Sequence, residues 1–153
     1  MATPEIVPAL IYDRALFRAK LEEMGQFSEV ANAIYPHLPG NFSPEEMDRA
    51  VNAVRDSNAF SPADIDLTLN HIKWLAESNY EVFFPPGQLI SERVIFPLSQ
   101  NESNGVEDAR FVRFVDEDGS ITYYATYTAY NGRDILPQLI ETKDFHSFKI
   151  STL

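Results

Sequence analysis

With 153 residues the chain has material for one ordinary domain with its own core, and two full domains would be a squeeze. Its formal charge of −11 argues against nucleic acid or an anionic membrane as a generic partner, because both attract basic surfaces; the plain reading of the acidity is solubility. The absence of cysteine excludes a disulfide framework, a thiolate metal site and thiol nucleophiles, and fits a reducing, cytoplasmic setting.

The opening segment, Met1-Ala2-Thr3-Pro4-Glu5-Ile6-Val7-Pro8, lacks a basic stretch ahead of a long apolar core and does not read as a signal peptide. No run approaches the roughly 18 apolar residues of a membrane span. Leu16, Phe17 and Leu21 recur at helical spacing over 13–24, and Gly25 is placed to end that helix. A short helix is predicted over 28–35, stopped by Pro36, Pro39 and Gly40. Ser43-Pro44-Glu45-Glu46 combines a serine N-cap, proline at the first helical position and an acid where a capping box wants one. Ser61-Pro62-Ala63-Asp64 repeats the device ahead of Ile65, Leu69, Ile72 and Leu75, predicting a helix to about 78. His71 and Trp74 on that helix read as packing or surface residues, since no second histidine stands at a metal spacing.

The pattern changes at Tyr80. Short β-type runs are predicted at 81–84 and 92–96, broken by Pro85-Pro86-Gly87 and Pro97. A polar loop over 99–105 holds Asn101-Glu102-Ser103, a glycosylation pattern that no secretion signal supports. A strand over 110–115, an acidic turn ending in Gly119, and a Tyr- and Thr-rich strand over 121–130 predict a hairpin. Strands at 135–142 and 148–152 complete an antiparallel meander, a rhythm shared by sandwiches, barrels and propeller blades. The fold class is therefore mainly β with an N-terminal helical segment: residues 1–79 helical, residues 80–153 sheet. Open sheet edges would need covering, so homo-oligomerisation or other association through those edges is expected.

The densest polar chemistry lies between Asn104 and Arg133. Glu107 and Asp108 are adjacent, so on a regular strand they point to opposite faces, and they serve one site only if the backbone bulges or turns there. The functional reading makes one a ligand to a polar substrate and the other a partner of Arg110; the alternative is a structural ion pair with a solvated neighbour. Tyr123, Tyr124, Tyr127 and Tyr130 fit either sheet packing or a stacking platform for sugar rings. Asp116, Glu117 and Asp118 read as a plain turn and not a calcium loop, whose ligands are spread over a longer segment. No phosphate loop, nucleophile elbow or His-Glu-x-x-His occurs.

Three stretches together resemble glycoside hydrolase family 130, the β-mannoside phosphorylases and related mannosidases: Arg93-Val94-Ile95-Phe96-Pro97, Glu102-Ser103-Asn104-Gly105-Val106-Glu107-Asp108-Ala109-Arg110, and Thr126-Tyr127-Thr128-Ala129-Tyr130-Asn131-Gly132. The resemblance covers about 80–153, and the helical half resembles an insertion of longer members. It implies blades of a five-bladed β-propeller, incomplete here, with the site in the central channel. It implies inverting phosphorolysis or hydrolysis of a β-mannoside or related oligosaccharide, with no cofactor and with inorganic phosphate as co-substrate in a phosphorylase. Glu107, Asp108, Arg110, Arg93 and Tyr130 would then contact substrate.

The family's general acid, an aspartate, maps onto Asn131, and a carboxamide cannot donate a proton as a carboxylic acid does. Three explanations stand: the acid is Asp134, the chain belongs to a branch with another acid, or it is inactive. The alternative to an enzyme is thus a catalytically inactive fragment serving as a sugar-binding or oligomerising module.

Overall fold

A computed structural model describes residues 3–153; the first two residues of the expected helical segment lie outside the described residues. The chain divides into two compact units, one of residues Ala9–Ala76 and one in which the strand Glu5–Pro8 joins Glu77–Leu153.

The first unit is helical, and local capping chemistry sets its boundaries. Helix α1 (Arg14–Glu23) starts where the Asp13 carboxylate accepts from Leu16 N–H at 2.8 Å. Helix α2 (Glu29–Ile34) starts on Ser28 in the same way. Helix α3 (Pro44–Asp56) has the full reciprocal box: Glu46 N–H donates to Ser43 Oγ, and Ser43 N–H to the Glu46 carboxylate at 2.9 Å. Helix α4 (Pro62–Glu77) follows Ser61, whose Oγ accepts from Asp64 N–H. The buried stripes Phe17 and Leu21, Val30 and Ile34, Met47 and Val51, and Ile65, Ile72 and Leu75 form one core. Tyr12, Phe17 and Phe42 meet ring against ring within it. Ser43→Ala should cost this unit about 1 kcal/mol, read as a lowered urea midpoint by fluorescence of Trp74, the chain's sole tryptophan.

The second unit is built on one six-stranded antiparallel sheet. Its strands are β1 (Glu5–Pro8), β4 (Tyr80–Phe83), β5 (Val106–Val115), β6 (Ile121–Tyr130), β7 (Ile135–Thr142) and β8 (Ser147–Thr152), in the spatial order β1-β4-β8-β7-β6-β5. The remaining two, β2 (Tyr12–Asp13) and β3 (Asn41–Phe42), form a separate short pair in the helical unit. Register aligns a cross-sheet row, Tyr80–Ile150–Ile140–Ala125–Phe111, on one face. Alternation adds Val82, Phe148, Tyr127 and Ala129 to that face, which is buried from β4 across to β6, while Phe111 on the edge strand stays exposed. Because β4 lies near one edge and β5 is the other edge, the connection over 84–105 must cross the sheet.

Two sequence expectations change. The N-terminal segment is not wholly helical, since Glu5–Pro8 pairs with Tyr80–Phe83 across more than seventy residues, a contact that no local pattern announces. The strand expected at 92–96 is instead a 3₁₀ turn, Ile90–Glu92, followed by irregular chain. Leu89 and Ile90 carbonyls accept from Glu92 and Arg93 N–H, and Pro97 has no N–H to offer a ladder. Val94 and Phe96 there remain exposed, Phe96 at 55%, while Ile95 is half-buried. The mainly β character with helices holds, as one six-stranded antiparallel sheet beside the short β2–β3 pair. Among the described residues no helix is long and apolar enough to cross a membrane.

Candidate functional site

The site is organised by an irregularity in β5. Glu107 pairs with Thr128 and Arg110 with Thr126, so Asp108 and Ala109 together stand opposite Tyr127. This is a β-bulge, and Asp108 takes φ 60 within it. A left-handed conformation costs an L-residue, though aspartate tolerates it better than most. The bulge is the condition under which neighbours in sequence can share a site, and Glu107 and Asp108 both line one cavity of about 460 Å³.

The crossing segment forms its opposite wall. Residues Gln100–Glu102 make a 3₁₀ turn that drives Glu102 onto the sheet, where it is 1% exposed. Its carboxylate accepts from the Tyr127 hydroxyl at 2.5 Å, the Tyr80 hydroxyl at 2.9 Å, Leu98 N–H at 2.8 Å and Ser99 N–H at 3.0 Å. Burial first, and then the neighbouring Glu102 charge, push the Tyr80 hydroxyl well above the ordinary phenol range. Burial and the Tyr80–Glu102 pair do the same to Tyr127. Both tyrosines therefore stay protonated donors, and the carboxylate is held by four donors, two hydroxyls and two backbone N–H groups. Its role is structural: it pins the crossing loop to the centre of the sheet. Neighbouring Asn101 is also 1% exposed and donates to Ser78 Oγ, so the glycosylation pattern falls on a buried side chain.

Arg93 fixes a second corner. Its guanidinium donates to the carbonyls of Gln88 and Phe145, each at 2.6 Å, and contacts His146 Nε2 at 3.3 Å. Those bonds tie the crossing loop to the turn between β7 and β8. Phe145 in that turn has φ 58, unusual for a bulky residue. Three contacts hold it there: its N–H bonds to Thr142 Oγ1, while Asp144 accepts from His146 and Ser147 N–H. The Ser147 N–H bond, foremost, keeps the Asp144 carboxyl below the usual range. The Phe145 ring lies 4.6 Å from that of Tyr123 and 6.2 Å from those of Phe111 and Phe148. Phe84, Phe111, Phe145 and Phe148 give the cavity an aromatic lining, with Glu107 and Asp108 exposed at its rim.

Not all of the residues singled out from sequence converge. Glu107, Asp108 and Arg93 line the cavity, whereas Arg110, Tyr130, Asn131 and Asp134 are not among its lining residues. Among the described residues no ion pair joins Arg110 to Glu107 or Asp108. Asn131 is engaged in a turn: its Oδ1 accepts from Arg133 N–H at 2.9 Å and Asp134 N–H at 2.6 Å. The Asp134 carboxylate lies 3.5 Å from the Asn131 amide nitrogen. Gly132 completes the turn at φ 93, and a Cβ there would sit 2.8 Å from the Asn104 side chain. Tyr130 closes it with a hydroxyl bond to the Gly132 carbonyl.

Glu102 is the residue whose importance sequence reasoning missed. A local signal existed, since Ser99-Gln100-Asn101-Glu102 has the Ser-x-x-Glu spacing of a capping box, and the carboxylate does reach back to Ser99 N–H. No family model, no curated protein and no solved structure matches this chain.

Proposed function

We propose that this chain recognises a carbohydrate, a β-mannoside or similar glycan, at the Glu107–Asp108 cavity, in the manner of glycoside hydrolase family 130 proteins. The observation that carries the reading is where the backbone is strained. Among the described residues three non-glycine positions have positive φ, Asn58, Asp108 and Phe145, and two of them line this cavity. Strained residues persist where surrounding contacts over-determine them, and they cluster at ligand sites. The chemistry suits a sugar: rim carboxylates accept from hydroxyl groups, and aromatic walls stack against the C–H faces of a pyranose ring.

The four-stranded meander β5–β8 has the make of one propeller blade, to which β4 and β1 are added, and on this reading the fold is propeller-like. A cytoplasmic location accords with the lack of cysteine. Inverting phosphorolysis or hydrolysis, the activity the resemblance implies, has less support than binding. Its acid position holds a carboxamide that is already committed to a turn.

Titration of the labelled chain with β-1,4-mannobiose, followed by amide shifts, tests the reading. Saturable changes centred on 107–111 and on 145 are expected. Asp108→Ala should weaken binding about tenfold or more, the value of a hydrogen bond to a charged group. An unperturbed spectrum across a panel of β-linked disaccharides would refute recognition. Turnover is separated by assaying mannose, or mannose 1-phosphate in the presence of phosphate. Activity in the unsubstituted chain would show that another acid serves, and activity gained only by Asn131→Asp would show decay at that position.

A further inference from the structure

The two edges of the sheet are finished differently. Edge strand β1 is four residues long and bounded by Pro4 and Pro8, and proline offers no ladder donor. Edge strand β5 is ten residues long and exposed along its whole length, with Val112 at 61% and Phe114 at 51%. From Arg110 to Val115 it is regular, the bulge lying behind it. Such an edge is a template for another strand.

We propose that β5 pairs antiparallel with β5 of a second copy of this chain, centred on Val112. Two observations select this occupant and this register. The first is main-chain direction. Asp116 N–H donates to Ser120 O within the hairpin. By alternation Phe114, Val112 and Arg110 turn their N–H and C=O toward β6, while Phe111, Arg113 and Val115 turn theirs to the open edge. A partner strand must therefore bond to the odd-numbered residues.

The second is the sequence of the edge itself, Arg110-Phe111-Val112-Arg113-Phe114. Reversed against itself about Val112, it sets Arg113 opposite Phe111 and Arg110 opposite Phe114, four times in the symmetric pair. Within Arg110–Phe114 each guanidinium meets an aromatic ring and no two like charges oppose each other, while just outside it Asp108 faces Asp116 of the second copy. The neighbouring registers lack this match. Centring on Arg113 places the two Arg113 side chains against each other, and centring on Phe111 runs the partner into the Asp108 bulge.

The chain has no cysteine, so introduced thiols report the register without background. Val112 would form a non-hydrogen-bonded pair with its counterpart, at a Cα separation of about 4.5 Å, within reach of a disulfide. Val112→Cys should give a covalent dimer on oxidation with copper phenanthroline. Arg110→Cys and Phe114→Cys should each stay largely monomeric alone and cross-link when mixed. In sedimentation equilibrium the unsubstituted chain should show twice the chain mass, and Val112→Lys, with unchanged circular dichroism, should return it to one. A monomer at all concentrations, a dimer that survives Val112→Lys, or cross-linking of Arg110→Cys alone as efficient as that of Val112→Cys would each overturn the proposal. Protection of the β5 amides only on adding another protein's extended segment would overturn it in favour of a foreign strand.

Discussion

Glu102→Ala is expected to destabilise the sheet unit by roughly 3–5 kcal/mol, since each buried group left without a partner costs about 1–3 kcal/mol. The substitution removes the acceptor of the Tyr80 and Tyr127 hydroxyls and of Leu98 and Ser99 N–H together, in a place where Glu102 is 1% exposed. Water entering the vacated space relieves part of that loss and sets the lower bound. Glu102→Gln should cost less than alanine but remain destabilising. It keeps one carbonyl oxygen and turns an amide donor toward groups that also donate. Tyr127→Phe removes a single donor and should cost about 1–2 kcal/mol. Combined with Glu102→Ala it should recover part of the loss, because it deletes a buried phenol that the first substitution left without its acceptor.

The measurement can be made unit by unit. Trp74, Tyr12 and Tyr35 belong to the helical unit, whereas the other five tyrosines, Tyr80, Tyr123, Tyr124, Tyr127 and Tyr130, belong to the sheet unit and dominate the tyrosine signal. Near-ultraviolet tyrosine dichroism in urea should shift strongly in Glu102→Ala. Tryptophan fluorescence reports whether the helical unit follows. An unchanged tyrosine midpoint would show that the four hydrogen bonds do not hold the crossing loop.

What was legible in the sequence was local. Ser43-Pro44-Glu45-Glu46 and Ser61-Pro62-Ala63-Asp64 carry their capping partners within three residues, and both helices start there. The meander from β5 to β8 was legible because short turns connect runs rich in Tyr, Thr, Phe, Val and Ile. Pairing of Glu5–Pro8 with Tyr80–Phe83 was not, since either segment alone is four residues of ambiguous pattern. Residues 92–96 illustrate the opposite error. Their apolar content reads as strand, but a strand exists only by pairing, and β8 takes the place beside β4.

The candidate site was legible as residues and not as geometry. Glu107 and Asp108 stood out, and the need for a bulge followed from the two-residue period of a strand. Nothing local says that the bulge occurs, because it is a mismatch between two strands, in which Asp108 and Ala109 share one partner, Tyr127. Asn131 shows how a motif can mislead about a role. Aligned as a catalytic position it looks like a vacancy, whereas Asn-Gly is itself a turn dipeptide, and the Asn131 side chain makes that turn.

Asp108→Gly separates strain from recognition and has the largest effect expected on binding. At φ 60 glycine pays no Cβ penalty, although it loses more freedom on folding. The two terms oppose, so stability should change by less than about 1 kcal/mol. Asp108→Val, a β-branched residue forced into the same conformation, should instead destabilise by about 1–3 kcal/mol. If the carboxylate binds sugar hydroxyls, Asp108→Gly keeps the bulge, and hence the cavity rim, while removing the ligand. Affinity for β-1,4-mannobiose should then fall about 10- to 100-fold, the equivalent of one or two charge-assisted hydrogen bonds. Undiminished binding by a folded Asp108→Gly chain would remove Asp108 from the site. A glycine variant as unstable as the valine one would show that the Asp108 side chain holds the bulge, and recognition would then rest on Glu107 and the aromatic wall.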